Sequence, residues 1–373
     1  MFDYLKYTLN SALLVASIYG LWLGGTYVWL GAGSLFGILL FDAFLDPDYA
    51  IRDKRHPWLY DAIAVVQLTI GFFQILFYAW LVGRGHFSTA AQGIGAFATM
   101  IFTQFVLVAP ALHELFHRES AFLRWYGRLG MVMIFDPWRE ITHVVTHHVN
   151  TVTPTDPDYA RRGDTLYGHL LRTFRGQIVE SYHLEKQMWT KRDRRWWDPR
   201  NPWVYRVGLL LGFVALLHAI GGWKGAVAGV AVCVFGPRTF LEIFNYTQHY
   251  GLVTGKPGRF EKHQTWNHLT PFVRIMAMEI TNHAGHHEDS YKPFYALVPD
   301  RTGPRQPQFL ICLLLSFVPP LWFLMIKPLL RDWDRTYATP QEREIAEAEN
   351  IRAGWEDLNE DAATARLRHA AAL

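Results

Sequence analysis

Cysteine is almost missing: the 373 residues hold only Cys233 and Cys312, each inside an apolar run. This excludes a disulfide framework and any thiolate-held cluster, and it suits a reducing compartment. Charge is scarce too. Asp, Glu, Lys and Arg make up 18% of the chain, against about 25% in an ordinary soluble globule, so part of the surface is expected to face lipid. The charges nearly cancel, 36 basic against 33 acidic, and leave no broad field for nucleic acid. Flavin, nicotinamide and iron–sulfur motifs are absent, as are internal repeats and low-complexity tracts.

What fills the chain instead is apolar sequence, 50% hydrophobic and 15% aromatic. A helix needs about 20 apolar residues to cross a bilayer, and six segments qualify as spans: 9–26, 29–44, 62–82, 92–112, 204–220 and 225–240. The first two are short and form a tight hairpin. Lys6 ahead of the first run has the outline of a secretory signal. The run passes Gly25 into a second apolar segment without a polar cleavage region, so a retained anchor is expected. Segment 309–326 is also apolar, but Pro319 and Pro320 interrupt it, which predicts a re-entrant or interfacial hairpin. Residues 340–373 read as a charged helical tail.

Basic residues collect on the cytoplasmic side of a membrane protein. Arg52, Lys54 and Arg55 follow the second span; Arg118, Arg124, Arg128 and the 191–195 cluster follow the fourth; Lys256, Arg259 and Lys262 follow the sixth. Six spans with both termini cytoplasmic satisfy this pattern.

Histidine is the anomaly. Of 17, nine fall in four groups: HELFH at 113–117, HVVTHH at 143–148, NYTQHYG at 245–251 and HAGHH at 283–287. Helical residues three and four apart share a face, so His113 with His117, His143 with His147, and His283 with His286 and His287 can each converge; His148 adjoins His147, and His249 stands alone. All lie at or beyond the cytoplasmic ends of spans. One metal uses three or four protein ligands, so nine histidines provide for two. Imidazole accepts Fe, Zn, Cu or Ni alike. Because ligating imidazoles donate their other N–H to carboxylates, Glu114, Glu140, Asp156, Asp158, Glu242 and Glu279 are candidate outer partners, each equally readable as a cap or ion pair. His268 is a further candidate. His218 reads as a hydrogen-bonded core residue within a span; His56, His86, His169, His183, His263 and His369 read as surface residues.

These motifs resemble the membrane-bound di-iron hydroxylase and desaturase superfamily. Within it the pattern is most similar to the alkane hydroxylase branch, and more closely to its aryl-methyl subgroup, that of the xylene and p-cymene monooxygenases. The likeness also rests on EITNHAGHH at 279–287 and LRDWDRTYATP at 330–340, and runs to about Trp355. Gln248, Thr142 and Asn282 replace the Glu, Glu and Arg usual beside the motifs in alkane hydroxylases, which weakens a medium-chain alkane as substrate and leaves the metal site intact.

The resemblance implies an all-α integral membrane protein, one domain over 1–373, with six transmembrane helices and a cytoplasmic histidine-rich di-iron region in a bacterial-type inner membrane. It implies that the nine histidines hold two non-haem irons. With O2, these would hydroxylate the methyl group of toluene, xylene or p-cymene to a benzylic alcohol. Electrons would come from a separate NADH-dependent reductase carrying flavin and an iron–sulfur centre. Lys191 to Arg195 could dock it, or face phospholipid headgroups. An alkane hydroxylase, or a fatty acid desaturase or decarboxylase, would use the same site. A membrane cytochrome would place axial histidines within spans, and a metal transporter would line its spans with ionisable groups; these spans offer neither.

Overall fold

The computed structural model describes residues 2–359, so His369 and the 360–373 part of the expected tail lie outside it. Among the described residues the secondary structure is helical, with no strand beyond one isolated bridge between Asn267 and Arg305. Four continuous helical stretches are long and apolar enough to cross a membrane: Gly25–Asp42, Pro57–Gly83, Ala90–Phe116 and Pro202–His249. In the last only 22% of the most apolar window is buried within the protein. An apolar helix so little covered needs lipid around it. Leu209, Leu211, Leu216, Val227 and Phe235 are among its outward side chains.

Helix α1 (Tyr4–Leu23) ends where Gly24 takes φ 69°, and a 3₁₀ turn leads to α2 (Leu30–Asp42). This is the expected tight hairpin, with the first helix starting five residues early. Helix α3 (Pro57–Gly83) opens with proline at its first position, where the missing N–H costs nothing. Thr89 caps α4 (Ala90–Thr103) by accepting from Gln92 N at 3.2 Å. A π-helical turn at Gln104–Val108 joins α4 to α5 (Ala109–Phe116), and α6 (Ala121–Met133) folds back on α5. A second π segment, Ile141–His147, runs into the short α7 (His148–Asn150).

Helix α8 (Leu166–Lys191) is amphipathic the wrong way round for a soluble protein. It buries His169, Thr173, Gln177, Ser181 and Glu185, and exposes Leu171, Ile178, Val179 and Met188. His169 is therefore an interior residue and not a surface one. Its ring meets Tyr246 at 5.3 Å, and burial pushes its pKa down to about 3.

Helix α9 (Pro202–Cys233) reverses at Gly222, φ 60° and ψ −166°, so that Leu217 touches Gly229 and the two expected segments 204–220 and 225–240 lie antiparallel. His218 points outward from this helix, correcting its reading as a core residue. The reversal is held against α3 by glycine. A Cβ on Gly221 would stand 2.2 Å from the Ala79 carbonyl oxygen, and one on Gly225 2.4 Å from it. Backbone approach through small residues is how membrane helices pack. Gly221→Ala should cost about 1–3 kcal/mol by forcing the helices apart, seen as a lowered unfolding midpoint in detergent; an unchanged midpoint would refute the close contact.

A third π segment, Val234–Arg238, contains Pro237 and leads into α10 (Thr239–His249). It packs on the first π segment, so the helices carrying His113 and His249 are both re-aimed by a wide turn at the same level. Short helices α11 (Pro271–Met276) and α12 (His283–Glu288) follow. Then come α13 (Phe309–Ser316), α14 (Pro319–Thr336) and α15 (Pro340–Ala353). The proline pair does break segment 309–326, but by starting α14 rather than by ending a helix.

Candidate metal centre

Each histidine group comes from a helix end or a π turn, where side chains project past the backbone ladder. His113 lies in the last turn of α5 and His117 caps it. His143 and His147 occupy the second π segment, whose wide turn stacks their rings at 5.0 Å and 17°. His249 ends α10; His283, His286 and His287 form half of α12. Eight are buried and His148 is half-buried.

The structure divides them into two tetrads, His113, His117, His143 and His286 in one, and His147, His249, His283 and His287 in the other. His148 stands between: its Nε2 is 3.1 Å from His143 Nε2, and its ring lies 4.5 Å from that of His287 and 4.9 Å from that of His286. In the first tetrad His113 Nε2 faces His286 Nε2 at 3.2 Å. In the second, His249 Nε2 is 2.9 Å from His283 Nε2 and 3.2 Å from His287 Nε2.

Rings so close are kept neutral, His147 excepted. Burial first, then neighbouring histidines, pushes the pKa of His117, His143, His148, His283 and His287 well down, and that of His286 to about 3. Neutral nitrogens aimed at one another in a dry interior have no donor to share, which is unfavourable without a cation. Metal–imidazole bonds of about 2.0–2.1 Å hold ligand nitrogens roughly 3–4 Å apart, and the observed spacing fits.

The second tetrad shows how its rings are fixed. His147 Nδ1 meets Asp156 Oδ2 at 2.8 Å, His249 Nδ1 the Gln264 carbonyl at 3.1 Å, and His283 Nδ1 the Ile280 carbonyl at 3.2 Å. Thr151 Oγ1 lies 3.4 Å from His287 Nδ1. Each bond places the proton on Nδ1 and leaves the Nε2 lone pair pointing inward. Burial lowers the pKa of His147 as well, but the Asp156 carboxylate outweighs it and holds that ring above its ordinary value.

Of the seven outer residues expected from sequence, only Asp156 hydrogen-bonds a clustered histidine. Glu114 accepts from Arg118 and the Phe294 amide, at 3.2 and 3.3 Å. Glu140 takes two 2.6 Å bonds from Arg128 and one of 2.9 Å from Arg206. Glu279 accepts from Tyr7, Arg52 and Arg274. Asp158 and Glu242 share Gln177, Asn245 and Arg139. His268 lies edge-on to Phe309 at 5.6 Å. Missed from sequence were Gln264, Ile280 and Thr151. Two of these act through backbone carbonyls, which no residue pattern announces.

Beside the second tetrad is an apolar cavity lined by Leu39, Phe105, Val106, Phe244, Met276 and Phe309, among others. Phe244 stands edge-on to His283 at 5.3 Å, and Phe105 stacks on Phe240 at 4.2 Å. The cavity also touches Thr281, two residues before His283, whose buried hydroxyl has no partner among the described residues.

Sequence comparison gives the family. The fatty acid desaturase family matches residues 87–302. The xylene/toluene monooxygenase hydroxylase component XylM of Pseudomonas putida is 36% identical, over 95% of this chain and 96% of its own. Alkane 1-monooxygenase 2 of Alcanivorax borkumensis is 26% identical over 81% and 82%, and the alkane 1-monooxygenase of Ectopseudomonas oleovorans is 26% identical over 82% and 77%. The matched span holds every histidine of both tetrads, and the chain belongs to the fatty acid desaturase family, beside hydrocarbon monooxygenases.

Proposed function

We propose that this chain is the hydroxylase component of a membrane di-iron monooxygenase that converts the methyl group of an alkyl-aromatic hydrocarbon of the toluene, xylene or p-cymene type to a benzylic alcohol. The observation that carries the reading is the pair of buried histidine tetrads, with an apolar, aromatic-lined cavity beside the second. The overall change is R–CH3 + O2 + 2e⁻ + 2H⁺ → R–CH2OH + H2O. Iron bound by the nine histidines would supply the oxygen reduction and C–H oxidation. The electrons would come from a separate NADH-dependent flavin and iron–sulfur reductase.

The chain's own part is position and dryness. Phe105, Phe244 and Phe309 offer faces and edges to an aromatic ring, while the apolar walls exclude water. Thr281, a lining residue whose buried hydroxyl has no partner among the described residues, would bond a hydroxyl once formed. A bilayer-dissolved substrate would enter between helices. Six spans with both termini cytoplasmic would put the tetrads at the inner face of a bacterial-type inner membrane, where the exposed Lys191, Arg192, Arg194 and Arg195 would be available to the reductase.

Cells co-expressing the chain with a flavin and iron–sulfur reductase and fed p-xylene should release 4-methylbenzyl alcohol. Unchanged p-xylene beside terminal alcohol from octane, or alkene from a fatty acid, would overturn the substrate and keep the metal site.

A further inference from the structure

The tail helices α14 and α15 lie outside the matched family segment, yet they grip both loops that orient the second tetrad. The first loop, 156–164, begins at Asp156, the partner of His147. Its Arg162 donates to Asp334 Oδ2 at 2.7 Å, to Asn350 Oδ1 at 2.8 Å and to the Gly251 carbonyl at 2.8 Å. Arg161 beside it pairs with Glu349 at 3.1 Å. The second loop, 261–266, supplies the Gln264 carbonyl to His249. There Trp333 Nε1 donates to the His263 carbonyl at 2.6 Å. Glu342 accepts from Gln264 Nε2 at 3.2 Å and His263 Nε2 at 3.1 Å, while also closing the first turn of α15 with Thr339. Glu342, Trp333, Arg162 and Gln264 are all buried.

Such contacts exceed what an appended tail needs to stay attached. Glu342 accepts through Oε1 from Gln264, whose carbonyl aims a ligand, and through Oε2 from the Thr339 amide, and a buried carboxylate so used is costly to leave unpaired. His263, read from sequence as a surface residue, is half-buried in this contact.

We infer that the C-terminal helix pair is a clamp that sets the ligand geometry, and hence the affinity, of the metal position formed by His147, His249, His283 and His287. Glu342 and Trp333 are its positioning residues, acting on His249 through Gln264 and the adjoining His263 carbonyl respectively. The inference rests on the two-metal reading above. Outer partners of this kind are worth about 10–100-fold in metal affinity, and the clamp predicts that this loss falls on one of two binding steps.

The test is an anaerobic titration of the metal-free full chain in detergent with Co(II), followed by the visible absorption of histidine-bound cobalt. The unsubstituted chain should take up two equivalents. Glu342→Ala should weaken one step about 10–100-fold, with an altered spectrum for that step alone. Trp333→Phe, which keeps the ring and deletes the donor, should weaken the same step and decides the matter if Glu342→Ala does not fold. Glu344→Gln, exposed on the same helix, should titrate as the unsubstituted chain. Two equivalents with both variants unchanged, or with both steps weakened alike, would overturn the clamp alone. Fewer than two equivalents in the unsubstituted chain would overturn the two-metal reading and the clamp with it.

Discussion

Replacing His147 by alanine should abolish hydroxylation of p-xylene and leave the purified chain short of at least one metal equivalent. His147 is fully buried, belongs to the second tetrad, and holds its Nδ1 on Asp156 at 2.8 Å with Nε2 free of any protein partner. The other three rings of the tetrad already converge on the same point, so its loss leaves that position one ligand short. Asp156 separates the ligand's role from that of its support. Asp156→Ala should keep the ligand and lose about 10–100-fold in metal affinity, with activity falling in step and returning when metal is added in excess. His147→Ala should not recover under the same excess. Metal content and product yield for both variants make the check, and full recovery of His147→Ala would mean that the ring is not a ligand.

The histidine cluster was legible because nine histidines at three- and four-residue spacing have few other uses. Their division into tetrads was not, since it depends on a π turn that stacks His143 on His147 yet sends them to different tetrads. The expected carboxylates illustrate a second limit. Glu114, Glu140 and Glu279 sit within a few residues of the histidines in sequence, yet their oxygens go to arginines that arrive from elsewhere in the fold. Sequence adjacency gives a carboxylate's address but not its partner.

The helices were found from apolar runs, and the runs explain the errors as well. Gly222 lies between two segments read as separate spans, and the backbone indeed reverses there. Pro319 and Pro320 were read as breakers within a run, whereas their fixed φ makes them starters of α14. Helix α8 escaped because periodicity assumes that apolar faces turn inward. Here the polar face is inside, where Gln177 meets Asp158, Glu242 and Arg238, and the apolar face is outside. His169 was misplaced for the same reason.

That inner polar face belongs to a closed electrostatic unit, and breaking it should be the most damaging change outside the ligands. Arg139, only 2% exposed, ion-pairs with Asp136 and Glu242 and stands 3.7 Å from Asp158. Arg238 pairs with Asp136 at 3.1 Å and Glu242 at 2.6 Å. Two cations thus face three carboxylates. Burial, reinforced by the charge of Glu242, pushes the pKa of Asp158 up to about 8, so that carboxyl is largely protonated at neutral pH and the count balances.

Arg139→Met removes one cation and leaves a carboxylate buried without its partner, a change worth about 3–5 kcal/mol of destabilisation. The unit joins α10, which ends in His249, to the loop carrying Asp156, so metal uptake should fall with stability. Glu242→Gln in the same chain takes away the matching negative charge, and the double variant should be more stable than the sum of the two single losses by about 1–3 kcal/mol. Unfolding in detergent of the two single variants and the double one measures this coupling directly. An Arg139→Met chain within about 1 kcal/mol of the unsubstituted protein would show that water or a relocated Arg238 already compensates the site, and that the network does not hold the two loops in place.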